Sequence, residues 1–173
     1  MAGGRNPIRF RPHHFLCALG FEGNGYSSAF TANMSDIVDG RLREPGGEST
    51  KITVTFVADS ICTPCPERRG LGCVKLHTIK QLDERHAKAL GLRDGQCITW
   101  GDALKRIKAN VKPGSLSTLC QNCQWLELGA CESALARLHQ AQPDSETRGD
   151  KSDATEKAND VAQLNRLPVD QNL

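Results

Sequence analysis

Lys51-Ile-Thr-Val-Thr-Phe-Val57 runs through Ala58-Asp-Ser-Ile61 into Cys62-Thr-Pro-Cys65-Pro-Glu-Arg-Arg-Gly-Leu-Gly-Cys73. In the first seven residues apolar side chains alternate with Lys and β-branched Thr. This period of two predicts a strand with Ile52, Val54 and Phe56 on its buried face. The segment after it has the spacing C-x2-C-x7-C. A good strand that empties into a cysteine loop predicts a small α+β domain whose loops are held by more than apolar packing.

The same spacing recurs 58 residues on, as Cys120-Gln-Asn-Cys123-Gln-Trp-Leu-Glu-Leu-Gly-Ala-Cys131. Each copy follows an aliphatic residue, Ile61 or Leu119, and each third cysteine is read as opening a helix. A C-x2-C turn brings two sulfurs to one point, and the seven-residue loop returns a third. Thiolates at helix starts gain free backbone N–H groups and the positive end of the dipole. Thiolate ligation is common to zinc and iron–sulfur centres. Three local cysteines with a remote fourth is a frequent way to hold a cluster, whereas closed zinc sites pair two short knuckles. The expectation is therefore an iron–sulfur protein with one or two 4Fe-4S clusters, serving electron transfer or redox sensing with a redox partner protein. The alternative is a zinc-stabilised structural or interaction module; a metal-dependent enzyme of unknown reaction ranks third.

Two tetra-coordinate centres need more ligands than Cys62, Cys65, Cys73, Cys120, Cys123 and Cys131 supply. Cys17 is the first choice for a further one, and His13, His14 or Cys97 for the last. Cys97 sits outside any spacing and is read as a buried apolar thiol. Trp100 and Trp125 are read as core or as cover for the metal centre.

Outward from the two loops, apolar periodicity marks helices. Phe30, Met34, Ile37 and Val38 share a face from Ser28 onward. A helix from Cys73 or Val74 to Leu90 would turn Leu76, Ile79, Leu82 and Leu90 inward and stop at Gly91. Thr99, with Asp102 three residues later, starts a third helix carrying Leu104, Ile107 and Val111. Ala134, Leu135 and Leu138 belong to a short last one. One strand cannot make a sheet, so another must lie within 8–16, 95–99 or 113–119. The whole reads as three or four short helices with a minor β element, clipped by two metal-binding cysteine loops.

The 173 residues carry a net charge of +2. Residues 141–173 hold seven Asp/Glu against four Lys/Arg, net −3, which leaves +5 for the body. That excess includes no dense basic run and does not resemble a nucleic-acid surface. Poor in aromatic and clustered apolar residues, 141–173 reads as a disordered polar tail behind a cysteine-rich domain at 1–140. No stretch approaches the ~20 apolar residues that span a bilayer. The basic opening with Arg5, Arg9 and Arg11 fits a transit peptide less well than a segment carrying ligands. The cytoplasm is the expected compartment, where spaced cysteines mean metal more often than disulfides.

As a set, Arg11-Pro-His-His-Phe-Leu-Cys17, Gly20-Phe21, Gly25-Tyr-Ser27, Asp59-x-Ile-Cys-x-x-Cys-Pro66, Cys120-x-x-Cys-x-Trp125 and Gly129-x-Cys131 resemble the bacterial and archaeal family called domain of unknown function 1284. The resemblance covers roughly residues 9–138. It implies suspected iron–sulfur binding and no particular reaction.

Overall fold

The computed structural model describes residues 7–141, which fall within one compact unit. The reading of 141–173 as a tail lies, beyond its first residue, outside the described residues.

The sheet is built on the predicted strand. β2, Lys51–Val54, is central. β1, Ile8–Phe10, lies parallel to it with Ile8 opposite Ile52 and Phe10 opposite Val54. On its other side β5, Cys97–Thr99, runs antiparallel with Ile98 opposite Ile52. The alternation of β2 explains its central position: Ile52 and Val54 are buried while Lys51 is exposed. Both partner strands fall inside the windows named from sequence. The strand ends at Val54, earlier than expected, and Phe56 is only partly buried.

Between β1 and β2 the chain makes α1, His14–Gly20, then α2, Ser28–Ile37, which continues as a π turn over Val38–Leu42. The Ser27 hydroxyl accepts from the Phe30 N–H and caps α2, and Phe30, Met34, Ile37 and Val38 are buried as their spacing predicts. α1 has no sequence counterpart, because Pro12 and the glycines around it suggest extended chain and loop. It is short but apolar after His14, with Phe15, Leu16 and Ala18 buried, and Phe10 meets Phe15 edge-on at 5.3 Å.

After β2 come a two-stranded hairpin, β3 (Arg68–Arg69) and β4 (Gly72–Cys73), and then α3, Leu76–Leu90. α3 starts later than expected, so Cys73 lies in a strand and does not open a helix. Leu76 is exposed beside the hairpin, whereas Leu82 and Leu90 point inward. Gly91 closes the helix in the left-handed conformation, φ +61°, which costs glycine little. α4, Trp100–Asn110, follows β5 without a linker; the Thr99 hydroxyl accepts from the Asp102 N–H as the capping pattern predicts. α5, Leu116–Leu119, leads into the second cysteine loop, and α6, Ala130–Gln140, carries Cys131 in its first turn. Among the described residues no helix is long and apolar enough to cross a membrane. The fold is thus a small α+β domain with several short helices and a minor mixed sheet.

Candidate metal centre

The loop that follows β2 is stitched to the end of β1. The Thr55 N–H donates to the Phe10 carbonyl, the Ser60 N–H to the Arg9 carbonyl, and the Arg9 N–H to the Ser60 hydroxyl. This sewing brings Asp59 under the start of α1. One of its carboxylate oxygens, Oδ1, accepts from the N–H groups of Ile61 and Cys62, both at 3.0 Å, a local turn that an Asp side chain favours. The other, Oδ2, accepts from the Arg11 N–H at 2.6 Å and lies 2.6 Å from His14 Nδ1. Burial alone would raise the Asp59 pKa. The charge and hydrogen bond of His14 and the N–H groups of Arg11 and Cys62 overcome that, holding it at about 2.

A second buried carboxylate lies beside it. Asp83, on the inner face of α3, accepts from Arg11 Nε at 2.8 Å and lies 2.6 Å from His13 Nδ1. Adjacent histidines are thus each oriented by a separate aspartate, their rings 4.2 Å apart. An ionised carboxylate only accepts, so Nδ1 of each ring carries the proton. Burial, and then the neighbouring His14, lower the His13 pKa to about 4 against the pull of Asp83.

Among the described residues, the His, Cys, Asp and Glu donors that lie within 4.8 Å of one another in a set of three or more are those of His14, Asp59 and Cys62. His14 and Asp59 are buried and Cys62 partly so. A tetrahedral zinc ion with bonds of ~2.0–2.3 Å spaces its ligand atoms about 3.3–3.8 Å apart, so it would part His14 Nδ1 and Asp59 Oδ2, which lie 2.6 Å from each other. An ion taking both His14 Nδ1 and the Asp59 oxygen replaces the proton that they share.

This donor set corrects the iron–sulfur reading. Iron–sulfur clusters are held by thiolates, but the set here mixes nitrogen, oxygen and sulfur, which suits a mononuclear, zinc-type site. The set that converges among the described residues is mixed and not all cysteine, so the 4Fe-4S assignment falls, and with it the inference of electron transfer. Spacing alone misled because it reports which sulfurs are near in sequence, not which oxygen and nitrogen atoms the fold adds to them.

The local repeat is nevertheless visible in the backbone. The Cys65 N–H donates to the Cys62 carbonyl and the Arg68 N–H to the Cys65 carbonyl; Cys123 to Cys120 and Leu126 to Cys123 repeat the pattern. The turns differ inside. Asn122 adopts φ +69°, which the proline at the corresponding position 64, its φ set by the ring, cannot. Beyond these turns the loops diverge, the first into the hairpin and the second into a 3₁₀ turn and α6.

The predicted ligands therefore separate. Cys62 joins His14 and Asp59, while burial, followed by Asp59, pushes its thiol up to about 12. Cys65 is raised by burial, and Cys73 adds to that from across the hairpin. Cys17, Cys120, Cys123 and Cys131 line a cavity of about 140 Å³, together with His13, His14 and His86. Burial, then the sulfurs of Cys131, Cys123 and Cys120, hold the Cys17 thiol well above its ordinary range. Cys97 is exposed on β5, not buried. Trp100 is core, and Trp125 meets Tyr26 edge-on at the cavity wall.

Three buried residues of this region were not singled out as candidates from the sequence: Asp59, Asp83 and His86. Asp59 offered a signal, an Asp placed three residues before a cysteine where its side chain can cap the turn. Asp83 and His86 offered none, since on α3 they read as the polar face of an amphipathic helix.

A family described as "Protein of unknown function (DUF1284)" matches residues 25–129, more than half of the chain, and the chain belongs to that family. The matched stretch contains Asp59, Cys62, Asp83 and His86, whereas His14, Cys17 and Cys131 lie outside it. No curated protein and no solved structure matches the chain.

Proposed function

We propose that this member of the family is a zinc-stabilised module, in which one ion held by His14, Asp59 and Cys62 serves the fold. One observation carries the reading: three donors of a zinc-type set converge at a largely buried point from two segments 45 residues apart. Asp59 and Cys62 come from the loop after β2, His14 from the start of α1. An ion there ties the loop to the β1–α1 corner, stabilising the folded chain by its binding free energy. His13 belongs to the neighbouring Asp83 pair in this reading, and Cys65 and Cys73 to the hairpin. A reducing compartment such as the cytoplasm would keep the cysteines, all free, available to metal. The redox partner expected from sequence rested on iron–sulfur clusters and lapses with them.

Metal analysis of protein purified without chelator tests the proposal. Zinc should be present, and Cys62→Ser and Asp59→Asn should each remove one equivalent. Iron with acid-labile sulfide in its place, or zinc content unchanged in both variants, would overturn the assignment.

A further inference from the structure

His86 projects from the inner face of α3 and is 1% exposed. Its Nδ1 lies 2.7 Å from the Leu82 carbonyl oxygen one turn back. A carbonyl only accepts, so Nδ1 carries the proton and Nε2 keeps its lone pair. That lone pair faces Cys120 Sγ at 3.5 Å. Metal-bound histidines usually have this arrangement, the outer ring nitrogen donating to a carbonyl or carboxylate while the inner one meets the ion. The separation fits as well. Bonds of ~2.0 Å to nitrogen and ~2.3 Å to sulfur at a tetrahedral angle place the two ligand atoms about 3.5 Å apart.

Cys120 opens the second cysteine loop, and Cys123 and Cys131 line the same cavity as His86. The Cys120–Cys123 turn is closed by a backbone hydrogen bond of 2.9 Å. Cys131 stands in the first turn of α6 against α1, its Sγ 3.9 Å from the Leu16 carbonyl oxygen. Among the described residues no third His, Cys, Asp or Glu donor lies within 4.8 Å of both His86 and Cys120. An ion would draw the 120–131 loop inward, replacing the contact that now joins the pair.

We propose that His86, Cys120, Cys123 and Cys131 form a second, Cys3His site for a divalent ion of the zinc type, with His86 and not Cys17 as its fourth ligand. It is separate from the His14 site, sharing no donor with it, and either can fail without the other.

Cobalt(II) titration in the Cys62→Ser background, where the first site is disabled, tests it. One equivalent should bind, with tetrahedral d–d bands and sulfur-to-cobalt charge transfer of three-thiolate intensity. His86→Gln should weaken that binding by more than ~100-fold, beyond the usual cost of losing an outer-shell partner. His86→Cys should restore it with stronger charge transfer, which separates lost ligation from a damaged core. Cys17→Ser should leave the spectrum unchanged. Undiminished binding in His86→Gln, loss in Cys17→Ser, or failure of His86→Cys to restore the bands would each overturn the assignment.

Discussion

Arg11 and Asp83, 72 residues apart in sequence, form an ion pair sealed from water: Arg11 Nη2 lies 2.7 Å from Asp83 Oδ2, with side chains 2% and 1% exposed. The pair pins the inner face of α3 to the β1–α1 corner. The other Asp83 oxygen faces the His13 ring, so one carboxylate positions both a cation and a histidine.

Removing one partner of a buried pair leaves the other charge without compensation, a loss of ~3–5 kcal/mol. Asp83→Ala should lower the urea midpoint accordingly. Asp39→Ala, which breaks the exposed pair with Arg43, should change stability by less than ~1 kcal/mol. Equal effects would show that Asp83 does not anchor the corner.

The acid limb of the stability profile should carry the same residue. Burial opposes ionisation of Asp83, but His13 and Arg11 overcome it and hold the pKa below the ordinary value. The unfolded chain therefore binds this proton at higher pH than the folded chain. The stabilisation is complete above the unfolded value of ~3.9 and is lost as pH falls through the lower, folded one. Denaturation followed between pH 5 and 2 should show a shallower decline in Asp83→Asn than in wild type. Parallel curves would contradict the linkage.

Gly20 closes α1 where α6 crosses it. A Cβ built there would sit 2.5 Å from Cys131 Sγ and 2.6 Å from its Cα. One of those atoms is backbone, so the neighbour cannot simply rotate away. Gly20→Ala should cost ~1–3 kcal/mol by overpacking, although alanine favours a helix interior by up to ~1 kcal/mol. A melting temperature at or above that of wild type would mean that α1 and α6 part readily.

Zinc binding should couple to stability by mass action. With free zinc ~1,000-fold above the dissociation constant, folded protein gains about 4 kcal/mol, so the melting temperature should rise with zinc and fall with chelator. Cys97→Ser, at an exposed thiol, should reproduce the wild-type response, Cys62→Ser should reduce it, and Cys62→Ser combined with His86→Gln should flatten it. The same zinc dependence in Cys62→Ser would place the stabilising ion elsewhere.

Local order was well written in the chain. β2, the Ser28 helix, the Thr99 cap and the Gly91 stop follow from side-chain period, hydroxyl chemistry and backbone freedom, which act within a few residues. α1 was concealed because its glycines and Pro12 argue for loop, whereas Phe15, Leu16 and Ala18 become helical against a core that the rest of the chain supplies. Cys97 was misplaced for a similar reason: a lone thiol in an apolar setting reads as buried, but strand register turned it outward, opposite Thr53.

The amino-acid sequence alone determined that sulfur-rich loops recur at a fixed spacing, that a strand delivers the first of them, and that metal is the chemistry to look for. Only the tertiary structure decided that Cys62 meets His14 and Asp59, and that two aspartates orient two adjacent histidines. Spacing encodes neighbours within a turn, whereas a ligand set depends on which segments long-range strand pairing brings together. Pairing β1 with β2, 44 residues apart, carried an imidazole to an aspartate and a cysteine of one loop, a cysteine that spacing had grouped only with other cysteines.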